Sequence, residues 1–126
     1  MRSLTVTAVG VLVLAAAAVP ARAQESQAPL RLTILPATGS RTAVTLACEP
    51  DGGSHPRPAE ACAALRAVDG HLDRLPGQNT VCTMQYDPVS ANAIGTWRGR
   101  KLVFKKMYGN ACELHSALDP VFRFGG

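Results

Sequence analysis

The chain has 126 residues, with 13 Lys and Arg against 9 Asp and Glu, for a formal net charge of +4 at pH 7. That length suits one domain with a modest core that gains from covalent support. So small a basic excess, with little aromatic interleaving beyond Trp97 and no recognised module, argues against a nucleic-acid-binding face.

Residues 1–23 read as a removed secretory signal: Arg2 at the start, an apolar run from Leu4 to Val19, and the small-x-small site Ala21-Arg22-Ala23. The run is shorter than the ~20 apolar residues of a membrane-spanning helix, so no membrane anchor is expected. The mature domain is expected to span 24–126, outside the cell, with a formal charge of +2 once Arg2 and Arg22 are gone. Its four cysteines, Cys48, Cys62, Cys82 and Cys112, are an even number with no Cys-x-x-Cys, which favours disulfides over metal ligation. Three pairings are open at this point.

Residues 24–29 have no apolar pattern and are expected to be disordered. Leu30, Leu32 and Ile34 alternate with polar residues as in a strand, and after a turn over 36–40, Val44, Leu46 and Cys48 predict its antiparallel partner. Residues 49–58 are crowded with Gly, Pro, Asp and Ser and predict a loop. Pro58 fits a first helical turn, Ala61, Leu65 and Val68 recur at helical spacing, and Gly70 terminates the helix. His71–Leu75 adds a further turn before Pro76-Gly77.

The next stretch, Cys82-Thr83-Met84-Gln85-Tyr86-Asp87-Pro88, breaks the pattern. Met84 is apolar, yet polar neighbours on both sides leave it in no stripe of either helical or strand period, which predicts exposure. Cys82 is able to pin one side covalently, and Asp87-Pro88 restricts the backbone on the other. Beyond it, 89–97 and 100–108 read as two strands joined at Arg98-Gly99. A short helix over 111–117 and a last strand over 119–124 complete the chain. Arg98, Arg100, Lys101, Lys105 and Lys106 read as a solvated strand face. The fold class is α+β, an antiparallel sheet of about five strands with two helices packed on one face.

The loop residues resemble the reactive-site loop of the Streptomyces subtilisin inhibitor family. The likeness extends over the mature chain through Thr45-Leu46-Ala47-Cys48, Gly53-Ser54-His55-Pro56, Ala61-Cys62-Ala63-Ala64-Leu65, Trp97-Arg98-Gly99-Arg100, Asn110-Ala111-Cys112-Glu113 and Val121-Phe122-Arg123-Phe124. The resemblance implies two disulfides, Cys48 with Cys62 and Cys82 with Cys112, and a non-enzymatic inhibitor that occupies subtilisin-like serine proteases as a very poor substrate. It implies a reactive bond from Met84 to Gln85, protease contacts from Cys82, Thr83, Tyr86 and Asp87, loop support from Asn110, and a homodimer formed through one sheet face. It implies no cofactor. Thr83 stands where many members carry proline, and Gln85 where an aliphatic residue is common; both bear on loop stiffness and protease preference.

Two other classes are compatible with the composition. A small secreted ribonuclease needs a base, an acid and a phosphate-binding cation, and Glu113, His115 and Arg100 supply the types. Glu113 and His115 stand two apart on a helix, however, and so point to different faces. The other is a disulfide-stabilised extracellular module that binds something other than a protease. His55 and His71 read as loop or surface residues, and the three histidines show no zinc-ligand spacing.

Overall fold

The computed structural model describes residues 3–16 and 28–125; the expected cleavage site at 21–23 and the expected mature start at Gln24 lie outside the described residues. Residues 3–16 carry no regular secondary structure, and among the described residues no helix is long and apolar enough to cross a membrane.

Alternation of apolar residues builds one antiparallel sheet. β1 (Leu30–Pro36) lies between β2 (Thr42–Leu46) and β3 (Val89–Trp97), and β4 (Arg100–Tyr108) pairs with β3, for the order β2-β1-β3-β4. Leu32 faces Val44 on one side and Ala93 on the other, and Ala93 faces Phe104, so one row of the pleat runs across all four strands. Leu30, Leu32, Ile34, Ala91 and Ala93 are buried on that face, whereas Arg31, Ile94, Val103, Lys105 and Met107 of the alternate row are exposed. The β3–β4 hairpin closes through Arg98 (φ 45°) and Gly99 (φ 77°), both left-handed as a two-residue turn between right-twisted strands requires.

α1 (Pro58–Ala67) begins on Pro58, whose missing N–H is not needed in a first turn. It ends as the Asp69 N–H donates to the Arg66 carbonyl at 3.3 Å and the Gly70 N–H to the Leu65 carbonyl at 2.9 Å, the bond pair of a Schellman cap with Asp69 at φ 50°. Gly70 is required by packing as well, since a Cβ there would lie 2.7 Å from the Trp97 ring. A 3₁₀ turn at Leu72–Arg74 follows, and after β4 the chain forms α2 (Ala111–Leu118). Ala61, Cys62 and Leu65 of α1 and Leu114 and Leu118 of α2 join the buried sheet residues in a single cluster, which puts both helices on one face.

Both disulfides are those that the resemblance implies: Cys48–Cys62 with Cα atoms 5.6 Å apart and Cys82–Cys112 with 5.7 Å. Their sequence separations are 14 and 30 residues. Closing loops of that length contributes on the order of 3–4 kcal/mol each, a large share of a small domain's stability.

The sheet has four strands and not about five: residues 119–124, expected as a last strand, form a turn and an irregular tail. Local bonds take up the donors that a ladder needs, with Val121 N–H donating to Leu118 O, Arg123 N–H to Pro120 O and Phe124 N–H to Phe122 O. Val121 and Phe122 are both fully buried, which a two-residue alternation cannot provide. His55 also departs from expectation: it lies in a loop but is buried. Its Nε2 is 2.9 Å from the Val121 carbonyl oxygen, and its Nδ1 accepts from the Arg57 N–H at 3.0 Å, which makes Nε2–H the donor to Val121.

Candidate functional site

Between the 3₁₀ turn and β3, residues 75–88 have no regular secondary structure, and three large apolar side chains stand out from them. Val81 is 97% exposed, Met84 92% and Tyr86 80%. Large apolar side chains left exposed together on one loop suit an interaction surface, and here they sit on a backbone tied down at every few residues.

All but one of the ties come from α2 and the two residues before it. Gln78 N–H donates to the Ser116 carbonyl at 2.7 Å, and Ser116 Oγ donates back to the Gln78 carbonyl at 2.8 Å. Cys82 is bonded to Cys112 in the first turn of α2. Asn110 Nδ2 donates to the Thr83 carbonyl at 3.0 Å and to the Gln85 carbonyl at 2.9 Å. Asp87 N–H donates to the Gly109 carbonyl at 2.8 Å, and Ala37 N–H at the end of β1 donates to the Pro88 carbonyl at 3.0 Å.

Asn110 is the centre of this arrangement. It is the N-cap of α2, where its Oδ1 accepts from the Glu113 N–H at 2.9 Å. Both amide hydrogens then go to the carbonyls on either side of Met84, so both side-chain donors are satisfied in a buried position. The Met84 side chain itself is left free, held out between two pinned carbonyls.

Of the expected site residues, Thr83, Met84, Gln85, Tyr86 and Asp87 are exposed on this loop, while Cys82 and Asn110 lie behind it in bonded contact. The roles of three residues at the loop escaped sequence reasoning. Val81 is exposed beside Cys82 without any periodic signal. Ser116 meets Gln78 across 38 residues, a distance that no local pattern reports. Glu113 was readable, because Asn110-x-x-Glu113 is the spacing of a helix capping box.

The groups weighed for ribonuclease chemistry are not assembled. Arg100 pairs with the Asp69 carboxylate at 2.9 Å, His115 Nδ1 lies 3.0 Å from Asp119 Oδ1, and Glu113 Oε2 accepts from the Gly109 N–H at 3.1 Å. Arg100 opens β4 and Glu113 follows its far end, a strand length of about 26 Å away along the sheet. The Asp69 carboxyl is held below its ordinary pKa, first by the hydrogen bond from the Trp97 indole N–H and then by the Arg100 and Arg98 charges. Burial pushes the Tyr108 phenol up. Cys48, Asp51 and Cys62 offer ligand atoms within 4.8 Å of one another, but both sulfurs are spent in the disulfide.

The sequence model described as subtilisin inhibitor-like matches residues 26–110. Subtilisin inhibitor-like protein 5 of Streptomyces fradiae is 43% identical over 75% of this chain and 95% of its own length. A trypsin inhibitor of Streptomyces longisporus is 39% identical over 97% of this chain and 92% of its own length. Among solved structures, Streptomyces caespitosus sermetstatin in complex with Bacillus licheniformis subtilisin has a similar fold, with a TM-score of 0.65 and 36% identity over 77% of this chain and 98% of that one. With that sequence model matched over residues 26–110 and a relative 43% identical over 95% of its own length, this chain belongs to the subtilisin inhibitor-like family.

Proposed function

We propose that the protein is a secreted, non-enzymatic inhibitor of subtilisin-like serine proteases that presents Met84–Gln85 as its reactive bond. The observation that carries this reading is the double hydrogen bond of Asn110 to the carbonyls of Thr83 and Gln85, which holds the backbone rigid on both sides of an exposed apolar side chain. Met84 enters the primary specificity pocket. Thr83, Cys82 and Val81 run along the protease's non-primed side, and Tyr86 and Asp87 along the primed side.

Inhibition in place of digestion follows from the ties. After attack on the Met84 carbonyl, a free substrate would let the new amine of Gln85 diffuse away. Here Cys82–Cys112 and Asn110 hold the acyl side, while Asn110 and the Gly109 carbonyl hold the amine side, so the amine stays at high effective concentration and religation competes with water. A preordered loop also lowers the ordering cost of binding.

The second sheet face suits a homodimer. Leu35, Ile94, Val103 and Met107 are 43–67% exposed there, with Ile94 directly opposite Val103. That apolar patch complements a second copy of itself.

Titration of active-site-quantified subtilisin with the purified secreted protein tests the main reading. Stoichiometric inhibition is expected, with any slow cleavage falling after Met84. Rapid digestion without inhibition would refute it.

A further inference from the structure

Among the described residues, the hydrogen bonds that reach the two flanks of Met84 from outside the loop, apart from the distant Gln78 and Pro88 ties, are made by one dipeptide. Gly109 takes the Asp87 N–H on its carbonyl, and Asn110 donates to Thr83 and Gln85. These two residues belong to no regular element, since β4 ends at Tyr108 and α2 begins at Ala111. Something must fix them if they are to fix the loop.

Glu113 does so from both ends. Its backbone N–H donates to Asn110 Oδ1, which sets the amide plane and aims both Nδ2 hydrogens at the loop. Its carboxylate accepts from the Gly109 N–H at 3.1 Å. In the usual capping box the acidic side chain takes the N–H of the capping residue itself; here it reaches one residue further back. The restraint therefore falls on Gly109, whose carbonyl is a loop contact, and not on the helix end alone.

We propose that Glu113 is a positioning residue of the inhibitory loop, a role that rests on the reading of the protein as a protease inhibitor. Among the described residues no hydrogen bond joins it to the loop directly. It acts through Gly109 and Asn110 to keep the carbonyl of Thr83 and the leaving strand from Gln85 to Asp87 in register.

The test compares wild type, Glu113→Ala, Glu113→Gln, Gly109→Ala and, as a destabilised control in α1 away from the loop, Ala64→Gly, all well below their Tm and checked by circular dichroism. The readouts are the inhibition constant against subtilisin, the rate of cleavage after Met84 and the equilibrium ratio of cleaved to intact protein. Glu113→Ala is expected to raise the inhibition constant and the cleavage rate about tenfold, in line with the loss of one charge-assisted restraint. Gly109→Ala, whose Cβ would lie 2.8 Å from Glu113 Oε2, is expected to act in the same direction. Glu113→Gln keeps an acceptor and is expected to stay within about twofold of wild type. Ala64→Gly is expected to lower Tm and leave all three readouts unchanged. Inhibiting wild type with a folded Glu113→Ala that is equally durable overturns the role of Glu113, as does an equal effect of Ala64→Gly. A wild type that fails to inhibit subtilisin at all refutes the functional reading beneath it.

Discussion

Met84 owes its position to what its neighbours are not. With Thr83 and Gln85 polar, no apolar face claims the residue, and the structure leaves its side chain 92% exposed between two carbonyls pinned by Asn110. Protease preference is accordingly expected to follow residue 84. Burying a methionine fully is worth about 1.5–3 kcal/mol, so Met84→Gly should weaken subtilisin inhibition by about tenfold or more, with added backbone freedom contributing. Trypsin's pocket places a carboxylate where a cation sits, so Met84→Lys should gain trypsin inhibition. Inhibition constants of both variants against both enzymes check the assignment, and unchanged values for both would move the reactive bond elsewhere.

At the scale of elements, α2 is a brace that spans the loop from Gln78 to Asp87 through Ser116, Cys112, Asn110 and the adjoining Gly109. Only the disulfide among these ties is covalent. Replacing Cys82 and Cys112 together with serine leaves Met84 and the Asn110 contacts in place while removing the covalent tie on the acyl side. The folded double variant should be cleaved after Met84 far faster than wild type and inhibit only transiently, as fragment masses and residual subtilisin activity over time will record. A double variant that stays intact and inhibits durably would assign the resistance to the hydrogen bonds alone. The same logic applies to His55, which joins the loop before α1 to the C-terminal turn through Val121 O and the Arg57 N–H. His55→Ala strands both groups and opens a hole, and should cost about 2–4 kcal/mol in a denaturant titration. The proposed reactive loop lies elsewhere, so inhibition at temperatures where this variant is folded should persist.

Over the whole molecule, the sheet separates two tasks. One face carries the helices and the only hydrophobic cluster among the described residues, and the other exposes Leu35, Ile94, Val103 and Met107 around Lys105 and Arg31. Val103→Asp places a charge in the middle of that patch without entering the core. Sedimentation should find wild type as a dimer and Val103→Asp as a monomer, with the inhibition constant per chain unchanged because the loop is not part of that face. A monomeric wild type would rule out the dimer while leaving the proposed inhibitory loop untouched.

Much of this was written locally. β3 and β4 match their expected bounds because alternation and the Arg98-Gly99 turn are properties of adjacent residues, and α1 follows from Pro58 and the Ala61–Leu65 spacing. The sequence alone also determined that the cysteines were even in number and that Met84 had no place in a stripe. It could not choose among three disulfide pairings without a family likeness. The tertiary structure decided the fate of residues 119–124, whose apolar side chains suit a strand equally well until the space beneath the sheet is known. It also decided that His55 is buried, and that Asn110 meets Thr83 and Gln85 across 27 and 25 residues. Periodicity records which face a residue prefers; which distant backbone its hydrogen bonds will reach depends on the closure of the whole chain.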